Sequence, residues 1–200
     1  LVNTYGAATA AAYSGASQLW VYVQMPSTAL STSMSAMAAM NIGAGHWRRV
    51  ESIALRGCLM SVAISALATL AIYALGDAPL RLFIPAGGDV LEKAWHINTQ
   101  ALWGWIALSV SMGLFGIMRA NGAMLAPMLI FAATMWGLRV PFAVLLQPVL
   151  GEDAIWWSFP FGSICSAAIA WGYYHWGGWR RQKLMLTSVD PRVDDMRLGE

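Results

Sequence analysis

Ile53-Ala-Leu-Arg-Gly-Cys-Leu-Met-Ser-Val-Ala-Ile-Ser-Ala-Leu-Ala-Thr-Leu-Ala-Ile-Tyr-Ala-Leu75 contains no acid and one cation, Arg56, and Gly76, Asp77 and Pro79 close it. At about 1.5 Å per residue such a run covers the roughly 30 Å of a bilayer's hydrocarbon core. It reads as a membrane helix. The rest of the chain is written in the same alphabet: of its 200 residues 58% are hydrophobic and 11% charged, where soluble domains carry about 25% charged residues.

Acid-free stretches of this length recur on both sides of it. About Tyr5–Met40, Ile53–Leu75, Trp95–Met118, Met124–Leu150 and Ile155–Trp176 read as five spans. The expected fold is an all-α polytopic membrane protein with a transmembrane region over residues 1–183 and a polar tail over 184–200. An odd number of spans puts the two ends of the region on opposite sides of the membrane.

Loop charges orient it, because cytoplasmic loops carry the excess of Lys and Arg. Arg48, Arg49, Arg56, Arg119, Arg180, Arg181, Lys183, Arg192 and Arg197 fall on one side, and Arg81 and Lys93 on the other, among Asp77, Asp89, Glu92, Glu152 and Asp153. The expectation is a multi-pass protein of a cell membrane, the bacterial inner membrane, with its C-terminus in the cytoplasm. Trp47, Trp95, Trp156, Trp157, Trp176 and Trp179 fall near span ends, at the headgroup level that indole prefers. The net charge of +2 is spread over loops and tail without a basic, aromatic-interleaved stripe, so no nucleic-acid partner is expected.

Polar residues inside spans are candidates for function, since they are costly in lipid. In the first span Ser27, Ser31 and Ser35 repeat every four residues, with Gln24 one turn before and Thr28 and Thr32 beside them. Pro26 removes the N–H that would bond the Tyr22 carbonyl, which predicts a bend. That face either lines a polar cavity or packs closely on a neighbouring helix. Arg139, near the middle of the fourth span, must face protein or water: it is a site or gate residue, or it snorkels or bonds a backbone carbonyl such as that of Gly137, which Pro141 frees. No acid lies in any span to pair with it.

His96, Asn98, Thr99 and Gln100 open the third span ahead of Trp103 and Trp105. This turn either offers hydrogen bonds and aromatic faces to a lipophilic cation or satisfies itself with water and headgroups. Met34, Met37 and Met40 read as packing or as an adaptable strip. His46, His96 and His175 stand apart from one another and from acids, and Cys58 and Cys165 lack any ligand spacing, so no metal site is expected. A membrane enzyme would need a nucleophile beside a His and an acid, and the abundant Ser and Thr have none, so no enzyme is expected.

Several motifs, in order, carry a resemblance. Asn3-Thr-Tyr-Gly6, Ala11-Ala-Tyr13, Met25-Pro26, Ser33-Met-Ser-Ala-Met-Ala-Ala-Met-Asn41-Ile-Gly-Ala-Gly45 and Arg48-Arg49 are followed by Leu82-Phe83, Gly116-Ile-Met-Arg119-Ala-Asn-Gly122, Leu138-Arg139-Val-Pro141, Ile155-Trp156, Pro160, Tyr173-Tyr174 and Trp179. The series resembles the second half of the multidrug and toxic compound extrusion (MATE) family over residues 3–181. Where the family usually has a Gly-Gln pair before the Asn, Ala39 and Met40 stand here.

The resemblance implies twelve helices in two six-helix lobes around a central cavity, with these five spans as the eighth to twelfth. The first lobe and the seventh helix would then belong to the same polypeptide outside this stretch. It implies export of cationic or amphipathic organic compounds, lipophilic organic cations among them, in exchange for H+ or Na+, without a cofactor. Gln24, Ser27, Ser31, Asn98, Gln100, Trp103 and Arg139 are the cavity-lining candidates. The third span lacks the acid that one branch of the family uses there, which shifts the coupling carboxylate toward the first lobe and leaves His96 as a substitute in this stretch. Two alternatives stay open: a lipid-linked oligosaccharide or polysaccharide flippase of the same superfamily, and an inactive fragment, because five spans of one lobe cannot enclose a two-lobed cavity.

Overall fold

The computed structural model describes residues 2–84 and 87–181. Among them helices are the one kind of regular structure: α1 (Ala7–Gly43), α2 (Trp47–Leu75), α3 (Ala78–Arg81), α4 (Gly88–Ala101), α5 (Gly104–Ala120), α6 (Leu125–Ala132), a π-helical stretch (Ala133–Leu138), α7 (Arg139–Leu150) and α8 (Asp153–Trp176). The tail expected over 184–200 lies outside the described residues. The protein is an all-α polytopic membrane protein. Three helices, α2, the continuous Leu125–Leu150 rod and α8, are long and apolar enough to cross a bilayer, and α4 with α5 makes a fourth as a bent pair. The 37-residue α1 has the length but is rich in Ser, Thr and Ala.

The third span differs from its expected form. It is two helices meeting at 53°, and α4 begins at Gly88, so that Asp89, Glu92 and Lys93 lie on its first turns. At the break the hydrogen bonds tighten to three-residue reach, Trp105 N–H to the Leu102 carbonyl and Ile106 N–H to that of Trp103. Gly104 marks the reason: a Cβ there would lie 2.7 Å from Cα of Pro160, so α5 leaves the turn pressed against the backbone of α8. By contrast α1 runs unbroken through Pro26.

In lipid the water-driven gain from burying apolar surface is missing, and close packing through small residues takes its place. The central helix α5 touches α1, α2 and α8. A Cβ at Gly116 would lie 2.5 Å from the Ser31 carbonyl oxygen, and one at Gly57 would lie 2.5 Å from Met34 Sδ, so glycine sets both the α1–α5 and the α1–α2 spacing. The α6–α7 rod packs mainly on α8 and turns Met128, Leu129, Trp136, Leu145 and Val149 outward, as a lipid-facing helix does.

Two apolar clusters occupy the ends of the bundle. One gathers Trp20, Leu80, Ile97, Leu102 and Trp156, and the other Met34, Val50, Leu114, Met118 and Trp179. Between them is a band of buried hydroxyls, Ser27, Ser31, Ser61, Ser65, Ser109, Ser111, Ser158 and Ser166. The ends differ in charge. Trp47 packs on Trp179, Arg180 pairs with Glu51 at 3.1 Å and Asn121 donates to the Trp179 carbonyl, which draws the Arg-rich turns to one end. At the other, Thr9 reaches Glu152, His96 meets Asp153 and Gln147 donates to Tyr5.

Candidate functional site

At the level of the hydroxyl band a cavity of about 250 Å³ opens between α1, α5, α8 and the α6–α7 rod. Gln24, Trp105, Phe131, Met135, Arg139 and Phe159 line it. A second crevice of about 360 Å³ is bounded by Trp136, Val140, Ile155 and Ser158. Arg139 and Met135 border both spaces.

The local sequence builds this placement. Pro141 cannot donate to the Gly137 carbonyl, and the helix ahead of it widens into the π-helical stretch Ala133–Leu138. Such wide turns recur at functional sites. The Arg139 stem lies along Gly162 on α8, where a Cβ would meet Arg139 Cβ at an ordinary contact distance of 3.5 Å. The Nε of Arg139 donates to Ser158 Oγ at 3.2 Å, Nη1 faces Met135 Sδ at 3.5 Å, and the guanidinium carbon lies 3.3 Å from the centre of the Phe159 ring. These contacts, and not the Gly137 carbonyl allowed by the sequence, hold the cation. No carboxylate pairs with it among the described residues.

The other candidates separate. Gln24 joins Arg139 at the cavity. Ser27 bonds Ser65 at 2.8 Å and Ser31 donates to the Met112 carbonyl, so both hydroxyls tie α1 to its neighbours, while Thr28 and Thr32 face outward. Asn98 is fully buried, accepts from Trp20 Nε1 at 2.7 Å and, among the described residues, leaves its own amide NH₂ unpartnered. Trp103 sits edge-on to Trp157. His96, which the sequence reading sets apart from acids, lies 2.8 Å from Asp153 and 3.0 Å from Gln100 Nε2. The reason is the fold: the N-terminus of α8 comes alongside α4, 57 residues away in sequence.

Sequence reasoning missed Trp105's partners in the cavity, namely Phe131, Met135 and Phe159, and the anchor Ser158. The signal was present for α8, where Ser158, Phe159 and Gly162 surround Pro160, one of the positions that carry the sequence resemblance. Three aromatic rings, a thioether, an amide and a cation around one mid-depth space suit a bulky, partly apolar guest held by few polar contacts.

The sequence profile of MatE matches residues 1–145. The chain belongs to the MatE family. It is 29% identical over 188 residues to "Probable multidrug resistance protein YoeA" of Bacillus subtilis (strain 168), covering 92% of this chain and 40% of that protein. It is 30% identical over 189 residues to "Probable multidrug resistance protein YpnP" of the same organism, covering 92% and 41%. The chain thus spans about two-fifths of the length of the curated relatives it matches. No solved structure gives a significant match. The MatE match covers α1 to most of α7 and so includes Gln24 and Arg139, while Ser158 and Phe159 lie beyond it.

Proposed function

We propose that the full-length protein containing this chain is a multidrug efflux antiporter, exporting cationic or amphipathic organic compounds in exchange for H+ or Na+. The observation that carries the reading is the mid-depth cavity lined by Gln24, Trp105, Phe159 and Arg139 in a MatE-family chain. Midplane sites between lobes that rock against each other are the physical basis of alternating access. In this reading α1, α2, the α4–α5 pair, the α6–α7 rod and α8 are five spans of the second lobe in a bacterial inner membrane. The Arg-rich end, and the C-terminus with it, faces the cytoplasm. The other lobe of the same polypeptide closes the cavity and supplies the carboxylate that exchanges the coupling ion.

The flippase reading draws support from one feature. Arg139 is a cavity cation without a carboxylate partner among the described residues, as a pyrophosphate-bearing guest requires. Everted membrane vesicles containing the full-length protein separate the two. A fluorescent lipophilic cation is followed while a proton and then a sodium gradient is imposed. Gradient-driven dye movement that falls at least roughly tenfold in Arg139→Ala, at equal membrane insertion, supports antiport. Absence of movement with several unrelated cations under both gradients refutes it and favours the flippase.

A further inference from the structure

A groove of about 550 Å³ runs between α1 and α2 at the Arg-rich end, away from the Arg139 cavity. On α2 it is lined at helical spacing by Arg49, Arg56 and Met60, and on α1 by Met34 and Met37. Arg49 and Arg56 are seven residues apart on one face, about 10 Å along the axis, and the thioethers of the exposed Met37 and Met60 and the buried Met34 lie among them. Gly57 lets the buried Met34 close the floor, because Met34 packs where a Cβ at that position would stand.

Away from the two guanidiniums the groove has few free donors: Ser33 and Ser52 donate to the carbonyls of Ala29 and Arg48 in their own helices, both at 3.1 Å, and Asn41 gives one of its two amide N–H groups to the Met37 carbonyl at 2.8 Å. The acid nearest in sequence, Glu51, turns to another face of α2 and pairs with Arg180. Among the described residues neither Arg49 nor Arg56 has a carboxylate partner. An occupant that complements this lining brings negative charge with acceptor oxygens for the arginines and hydrocarbon for the apolar side chains.

We infer that this groove is a binding site for an anionic phospholipid, its phosphate between Arg49 and Arg56 and an acyl chain along Met37 and Met60. The ligand class follows from charge complementarity with the two arginines, the apolar Leu30, Met34, Met37, Ile53 and Met60 beside them, and a position at the basic end of two bilayer-length helices. Anionic headgroups concentrate at such basic pockets between membrane helices. The site goes beyond the transport reading and is tested without any transport assay, so either can fail alone.

The test is native mass spectrometry of the purified full-length protein in detergent, doped with equal phosphatidylglycerol and phosphatidylcholine of the same acyl chains. Wild type is compared with the double variant Arg49→Gln/Arg56→Gln and with Arg48→Gln, a neighbouring arginine that does not line the groove; all three must elute as monodisperse species. The expected result is preferential retention of phosphatidylglycerol by wild type and Arg48→Gln, reduced roughly tenfold or more in the double variant. Equal retention of the two lipids by wild type, or unchanged preference in the double variant, as would follow if the rest of the polypeptide covers the groove, overturns the inference. Displacement of phosphatidylglycerol by inorganic phosphate alone also overturns it, since the site would then read phosphate without a lipid.

Discussion

Replacing Gly116 by Ala tests the packing of the bundle at a close approach of one helix to the backbone of another. The added Cβ arrives 2.5 Å from the Ser31 carbonyl oxygen and 2.7 Å from its hydroxyl, whereas ordinary contact begins near 3.4 Å. Helices α1 and α5 must therefore part by about 0.9 Å at that level, and backbone cannot swing aside as a flexible side chain can. Overpacking of this kind costs about 1–3 kcal/mol. The parting also stretches the bond from Ser31 to the Met112 carbonyl, a further loss of about 0.5–1.5 kcal/mol. The expected loss is about 3 kcal/mol, roughly a hundredfold in the folding equilibrium. Equilibrium unfolding of the full-length protein in mixed micelles, followed by tryptophan emission, measures it. Gly137→Ala is the control, because a Cβ there meets nothing within 4 Å. If Gly116→Ala unfolds at the same denaturant fraction as Gly137→Ala, glycine does not set the α1–α5 distance and the packing account is wrong.

Two further outcomes follow from hydrogen-bond geometry. Trp20→Phe removes the donor to the fully buried Asn98 and is expected to cost about 1–3 kcal/mol. Asn98→Leu added to it should restore at least half of the loss in the same unfolding assay, and no restoration would mean that the indole matters only as volume. The His96–Asp153 pair joins α4 to α8 with side chains 52% and 36% exposed, so a double-mutant cycle with His96→Ala and Asp153→Ala should give a coupling below about 1 kcal/mol. A coupling well above that would show the pair to be shielded from water in the full-length protein.

The helices were legible because membrane spans are long, uniform stretches bounded by charge. α2 and the Leu125–Leu150 rod stand out by length and apolarity alone. The break at Leu102–Trp103 was not legible, since neither residue breaks a helix and its cause, Gly104 against Pro160, joins residues 56 apart. Arg139 and Gln24 were recognisable as polar groups that lipid would not tolerate. Their meeting in one cavity, with Phe159 across it, depends on helix rotation, which a near-uniform apolar pattern does not encode. The Ser/Thr face of α1 shows the same ambiguity: spacing put Ser27 and Ser31 on one face, and only the neighbours decided that they bond Ser65 and the Met112 carbonyl.

The π-helical stretch Ala133–Leu138 has a consequence for phase. Reaching back five residues in place of four absorbs one residue of helical register, and each residue of an α-helix turns about 100°. Everything after it, Arg139 first, is thereby rotated relative to Leu125–Ala132, although the rod stays continuous. The lipid-facing stripe of α6 and the stripe of α7 are two separately indexed patterns on one rod. One residue of slack is what lets a single membrane helix show hydrocarbon to the bilayer along its length and still point a guanidinium at the protein interior halfway down.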